Sequence, residues 1–377
     1  MPSDRVITED EVVRRLSRAE RVLLVEPGYR KYIPLGLAKI AGFCRDHNAT
    51  VEYTRRPEKC EKRPDLALWT TLFTYDREAI LNSFRRFRKV YPDVPVVFGG
   101  IYATLMPEDL LRETDGDVFS GYSKILDQCR PDYSVAWQAS GQWNDFHGVF
   151  TSRGCPNACA YCAVGTLEPD IWINPSWRSL LRSDKKYLMI SDNNLTAIDG
   201  HFEEVMQELA GIKKRVLFNN GVDCKHIDRE KADLMARAKY IQGGCRLAFD
   251  RIEEDGLFQE AVEKLLDAGI PKYSIMAFVL FNFNDNPQDA DYRMRECFRL
   301  GIRPYPEPYK PLNQLSRRST FVGRYWTGSL VQAFRYFWLM RGLYAKGTFE
   351  EWARTQTKYR LGPEDMAAWY GEIMEAA

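Results

Sequence analysis

The chain predicts an α/β protein with an N-terminal doubly wound Rossmann-like domain, a partial (β/α)6 barrel and a mostly helical C-terminal extension. Three observations carry that expectation. Between residues 21 and 128, short apolar runs alternate with amphipathic stretches. In the second half a phrase recurs in which a helix ends at Gly-Ile and a strand begins just afterwards. Beyond residue 312 the chain turns basic and aromatic. The expected division is a lead-in at 1–20, the Rossmann-like domain at 21–128, a linker at 129–146, the partial barrel at 147–312 and the extension at 313–377.

Taken in order, residues 11–20 look like a short charged helix, and 21–28 read as a buried strand running into a turn at Pro27-Gly28. Residues 35–44 have helical spacing and precede a strand at 50–54; a third strand is expected at 66–72. Ile80, Leu81, Phe84, Phe87 and Val90 trace one face of a helix that leads into a strand at 94–98 and then Gly99-Gly100. The linker contains Pro131 and Gly141 and has no clear period. In the second half, Gly211-Ile212, Gly269-Ile270 and Gly301-Ile302 precede strands at 216–218, 274–280 and from 304 onward. A left-handed glycine closes each helix and the isoleucine packs beneath it. Further strands at 149–152, 187–191 and 246–250 complete six β/α units, too few for a closed eight-fold barrel and suited to an open one, with chemistry on the loops at the C-terminal strand ends. Residues 330–343 read as a helix.

Composition narrows the function classes. The chain of 377 residues is 45% hydrophobic and 28% charged, as ordinary globular proteins are. Lysine plus arginine (53) nearly cancels aspartate plus glutamate (52), so no global field points to a nucleic acid or a membrane, although a local basic patch stays compatible with either. Residues 1–20 are charged and lack the apolar core of a signal peptide, and no apolar run approaches the roughly 20 residues of a spanning helix. Nine cysteines, six of them scattered singly, do not make a disulfide framework. A reducing cytoplasm is the expected compartment.

The other three stand together in Gly154-Cys155-Pro156-Asn157-Ala158-Cys159-Ala160-Tyr161-Cys162, on a loop after an expected strand. Thiolates suit zinc or an iron–sulfur cluster. A structural zinc site needs a fourth ligand, usually from a second Cys or His pair, and Cys224, Cys245, Cys297, His147, His201 and His226 are not paired in the sequence. Three ligands alone leave one iron of a 4Fe–4S cluster open.

This spacing, with Tyr161 before the last cysteine and the partial-barrel pattern, resembles the radical S-adenosylmethionine (SAM) superfamily. The resemblance implies that Cys155, Cys159 and Cys162 ligate a 4Fe–4S cluster whose open iron is chelated by SAM, and that one electron cleaves SAM to a 5′-deoxyadenosyl radical. It implies an electron donor such as flavodoxin or ferredoxin, and a small-molecule or nucleotide-like substrate. It also assigns Tyr161, Asp192, Asn193, Asn220 and Arg246 to cofactor binding, with Arg246 on the SAM carboxylate. The alternative for each polar residue is an ordinary strand-end turn.

Pro34-Leu35-Gly36-Leu37, Gly99-Gly100-Ile101-Tyr102-Ala103 and Gly121-Tyr122-Ser123 resemble the cobalamin-binding Rossmann-like domain of one radical SAM class. That resemblance implies cobalamin-assisted methylation of an unactivated carbon. The family's cobalt-ligating histidine has no counterpart, since no histidine lies between Glu26 and Gly36. Any cobalamin is therefore expected without a protein nitrogen on cobalt, its lower face near Tyr29 or Tyr102. Two alternatives remain open: a radical rearrangement, dehydrogenation or coupling without cobalamin, or a zinc or iron–sulfur nucleic-acid-binding protein using the basic aromatic stretch Arg317, Arg318, Arg324, Tyr325 and Trp326. In 282–287, Asp285 or Asn286 is expected to cap the next helix.

Overall fold

The computed structural model describes residues 2–28, 33–135, 137, 141–341 and 347–371. The chain divides into two compact units, 1–186 with 312–318, and 187–311 with 319–377. The first barrel strand and the cysteine loop thus group with the Rossmann-like layer rather than with residues 187–311.

The first unit is built on a six-stranded parallel sheet. Its strands are β1 (Val6–Ile7), β2 (Arg21–Val25), β3 (Thr50–Thr54), β4 (Leu66–Thr70), β5 (Val96–Gly99) and β6 (Asp117–Phe119), in the spatial order β3-β2-β4-β5-β6-β1. Counted from β2, this is the flavodoxin-like 2-1-3-4-5 order, with its reversal between β2 and β4. Burial follows the period of two. Leu23, Val25, Ala67, Trp69, Val96, Phe98 and Val118 point to one face. Val22, Leu24, Leu66, Leu68 and Val97 point to the other. Helix α1 (Glu9–Arg18) and helix α2 (Leu35–Asp46) cover the second face with Val12, Leu16, Leu37 and Ala41. Helix α3 (Arg77–Val90) covers the first with Ile80, Leu81, Phe84 and Phe87. The short helices α4 (Ile101–Leu105), α5 (Pro107–Glu113) and α6 (Lys124–Asp127) follow. Both faces of the central strands β2, β4 and β5 are dry, which is why they read as near-continuous apolar runs.

The strand expected at 149–152 is split. Strand β7 (Phe146–Val149) ends, and β8 (Ser152–Arg153) pairs antiparallel with β9 (Trp172–Ile173) across the cysteine loop and helix α7 (Val164–Leu167). Asn174 bonds to the residues at the break: its N–H donates to the Thr151 carbonyl (2.9 Å) and its Nδ2 to that of Phe150 (3.2 Å). Helix α8 (Trp177–Leu180) closes the segment.

The second unit alternates parallel strands and helices. Strand β10 (Tyr187–Ile190), helix α9 (His201–Gly211), β11 (Arg215–Phe218), α10 (Arg229–Met235) and β12 (Lys239–Tyr240) come first, with β11 between β10 and β12. They are followed by β13 (Cys245–Ala248), α11 (Leu257–Asp267), β14 (Ile275–Phe281), α12 (Pro287–Arg299) and β15 (Arg303–Pro308), with β14 central. The Val222–Leu247 bridge and the Val222 N–H to Arg246 carbonyl bond (2.8 Å) join the chain beyond β11 to β13. Two of the three Gly-Ile signals are left-handed caps. Gly269 (φ +102°) and Gly301 (φ +75°) let Ile270 and Ile302 donate back to the Leu265 and Cys297 carbonyls at 3.1 and 3.0 Å, burying both isoleucines. Gly211 instead remains inside α9, whose last turn closes through the Ile212 N–H.

Helix α13 (Gly328–Tyr336) runs into a π-helical turn at Phe337–Arg341, so the expected 330–343 helix changes pitch; Leu343 lies outside the described residues. Helices α14 (Phe349–Thr355) and α15 (Pro363–Trp369) end the chain. Trp326 belongs to the core of this unit, buried between Phe281 and Phe334, with Nε1 donating to the Asp285 carbonyl (2.9 Å). Arg317 lies in the first unit and pairs with buried Asp76 (3.0 Å). The basic aromatic stretch is thus split between the two units. Among the described residues no helix is long and apolar enough to cross a membrane.

Candidate functional site

The cysteine loop leaves β8 at Arg153. Gly154 is left-handed (φ +84°), its N–H donates to Glu168 Oε2 (2.8 Å), and a Cβ there would run into the Asp170 carbonyl. Only glycine fits that entry. Cys155 and Cys159 are half-buried and Cys162 is exposed. The loop turns on the Cys162 N–H to Cys159 carbonyl bond (3.0 Å). Two sulfurs already accept backbone N–H groups: Cys155 from Asn157 (3.4 Å) and Cys162 from Val164 (3.5 Å). Backbone N–H donors of this kind are usual around cluster sulfurs. Among the described residues no three His, Cys, Asp or Glu side chains converge as a ready metal cage, so the three thiols share a loop and not a preformed pocket. Tyr161 is half-buried beside Cys162.

Four of the six remaining cysteines differ in kind. Burial pushes the Cys44, Cys224 and Cys245 thiols up to about 12, and that of Cys297 higher still. Burial thus disfavours their thiolates, which makes them poor nucleophiles.

In the second unit the polar residues expected to bind cofactor lie just beyond the ends of β10 and β11 and, for Arg246, near the start of β13. Asn220 Nδ2 donates to the Ser191 carbonyl (2.7 Å) and to Asn193 Oδ1 (3.2 Å). Asn219 Nδ2 donates to Asn220 Oδ1 (3.0 Å), and Arg246 Nη1 to the Asn219 carbonyl (2.9 Å). Asn193, Asn220 and Arg246 thus form one hydrogen-bonded row, with Asp192 buried at the end of β10. Burial pulls the Arg246 guanidinium down, and its hydrogen bonds go to carbonyl oxygens and an amide, not to a carboxylate. An anion would complete it.

The 282–287 segment serves packing. Asn286 caps α12 by accepting from Asp289 N–H (2.8 Å), and Asp285 pairs with Arg293 (2.6 Å). Asn282 accepts the Gly323 N–H (2.7 Å).

At the reversal point of the first unit, Glu26 ends β2, buried under the Tyr53 hydroxyl (2.6 Å) and Arg55 (3.2 Å). Tyr102 does not line this end of the sheet. It is fully buried in the core and its hydroxyl donates to Asp109, so the expectation that it covers a corrin face is corrected; an aromatic after paired glycines is equally a core anchor. Gly100 lies against Thr71, whose carbonyl oxygen a Cβ would approach to 3.1 Å. Tyr29 lies outside the described residues.

Sequence reading missed Lys39, Asp127 and Glu168, all buried and ion-paired around Arg153. The one visible signal was Lys39, a charge set in the otherwise apolar run of α2.

The fold, a flavodoxin-like parallel sheet followed by parallel β/α units, is similar to that of a solved methyltransferase. The chain matches the structure of the radical SAM methyltransferase TsrM from Kitasatospora setae, solved with cobalamin and a 4Fe–4S cluster bound, with a TM-score of 0.61 over 78% of this chain and 76% of that one. The two are 16% identical, so the likeness is one of fold. No family model and no curated protein matches the sequence.

Proposed function

We propose that this protein is a radical SAM enzyme that cleaves SAM reductively at a 4Fe–4S cluster held by Cys155, Cys159 and Cys162, and that it methylates an unactivated carbon with the help of cobalamin. The observation that carries this reading is the three-thiol loop, two of whose sulfurs already accept backbone N–H groups. The donor set fits: three soft ligands on one loop, with solvent access at Cys162. When bound, the cluster supplies an electron that splits SAM to a 5′-deoxyadenosyl radical, and cobalamin supplies a methyl carrier.

The chain's own residues then bind and orient. Asp192, Asn193 and Asn220 offer amide and carboxylate oxygens to an ammonium group. Arg246 offers a desolvated guanidinium to a carboxylate. Tyr161 screens the loop beside Cys162. The electron would come from a flavodoxin or ferredoxin, and the substrate is small or nucleotide-like.

A second reading, radical chemistry without cobalamin, is favoured by one observation: Gly100 and Tyr102 are occupied by contacts to Thr71 and Asp109. One assay separates them. Anaerobic protein given SAM, dithionite and hydroxocobalamin should release 5′-deoxyadenosine and a methylated product. Release that is indifferent to cobalamin supports the second reading, and no release under either condition contradicts both.

A further inference from the structure

The cysteine loop is entered through Arg153 and Gly154, and one carboxylate holds both. Arg153 Nη1 lies 2.6 Å from Glu168 Oε1, while Glu168 Oε2 accepts the Gly154 N–H at 2.8 Å. The other edge of the guanidinium grips Asp127, Nε to Oδ2 at 2.6 Å and Nη2 to Oδ1 at 3.0 Å. Asp127 in turn takes the Lys39 ammonium at 2.6 Å. The Phe150 ring lies beneath both cations, 3.3 Å from Arg153 Cζ and 4.7 Å from Lys39 Nζ. Cation and carboxylate therefore alternate from α2 to the residue before Cys155, and all four side chains are at most 12% exposed.

A buried ionic chain is poor value as a stabiliser, because desolvating the charges offsets most of their attraction. Its better-attested use is to fix one arrangement against others. What it fixes here is the left-handed Gly154, one residue before Cys155. We infer that Glu168 is a positioning residue for the cluster loop. Through Arg153 and the Gly154 amide it sets the direction in which Cys155 leaves β8, and the Lys39–Asp127 pair anchors that hold to α2. Glu168 acts through the backbone and ligates nothing. The inference rests on the proposed cluster at Cys155, Cys159 and Cys162.

The test uses full-length protein reconstituted anaerobically with iron and sulfide, then challenged with a ferrous chelator. Glu168→Leu, which removes both the ion pair and the acceptor for Gly154 N–H, should lose iron roughly 10–100-fold faster than wild type, the range seen when an outer-shell partner is removed. Glu168→Gln keeps the shape and one acceptor oxygen, so its rate should fall between the two. The electron paramagnetic resonance g-values of the reduced cluster should shift in both variants, which a merely structural role would not produce. If Glu168→Leu fails to fold by circular dichroism, the isosteric Gln variant decides alone. Wild-type iron retention and g-values in Glu168→Gln and in any folded Leu variant would overturn the inference, even if thermal stability falls. Failure of wild-type protein to take up iron at all would be a different result, refuting the cluster itself and this inference with it.

Discussion

Cys159→Ala should abolish 5′-deoxyadenosine release from SAM and dithionite, a loss beyond the roughly 10–100-fold that removing an outer-shell partner causes. Three thiolates on residues 155–162 are the whole ligand set the loop offers, so none has a substitute. Burial disfavours the thiolates of Cys44, Cys224 and Cys245, so they are poor replacements for a missing ligand. Cys159 is half-buried and its carbonyl, not its thiol, closes the loop turn through Cys162 N–H, so alanine leaves the backbone bond intact. The fold should survive and the chemistry should not. Product counted by chromatography, with circular dichroism alongside, checks both halves; release at the wild-type rate would contradict the assignment.

The largest effect on stability is expected at Arg293→Met. Arg293 is completely buried, and its guanidinium donates to the carbonyls of Phe249 (2.9 Å) and Leu280 (2.7 Å) and to Asp285 (2.6 Å). It locks the ends of β13 and β14 to α12. Burial pushes the Asp285 carboxyl up and Arg293 opposes that shift. Removing the cation leaves a buried carboxylate unpaired and two carbonyls unsatisfied, at a cost of about 3–5 kcal/mol. The urea midpoint of the far-ultraviolet signal should fall accordingly. Adding Asp285→Asn should recover part of the loss, because the unpaired charge is then gone while the carbonyls still lack a donor. A fall below about 1 kcal/mol would show that the pair is not the lock described.

The parts of the fold legible in the sequence were those whose signal is local and repeated. Strands β2 and β4 nearly match the residues anticipated, because helices cover both faces of the sheet there and leave unbroken apolar runs; the edge strand β3, partly exposed, matches on its β-branched residues and tyrosine. The left-handed caps at Gly269 and Gly301 were readable from two letters, yet the same letters at Gly211 sit inside a helix, since glycine permits the left-handed state without requiring it. Strands β1 and β12 are two residues long and too short for any period. The residues at the split of β7 from β8 bond to Asn174, which lies beyond the break in sequence.

The site followed the same division. Three thiols within eight residues announce themselves, whereas the carboxylate that holds their loop pairs with residues as distant as Lys39 and Asp127 only after folding. Aromatic residues were the least informative. Tyr102 beside two glycines suggested a cofactor contact and Trp326 beside arginines was compatible with a nucleic-acid partner as well as with the core; both are core. Arg246, expected on a SAM carboxylate, meets carbonyl oxygens and an amide of the chain itself, as a cation in a strand among apolar neighbours must find an acceptor.

The most direct test is the metal content of the protein reconstituted under anaerobic conditions. The three-cysteine loop predicts about four irons and four sulfides per chain, with broad visible absorption that dithionite bleaches. The triple variant with Cys155, Cys159 and Cys162 all replaced by alanine should hold neither. Stoichiometric zinc in protein purified without oxygen, together with no uptake of iron on reconstitution, would contradict the account.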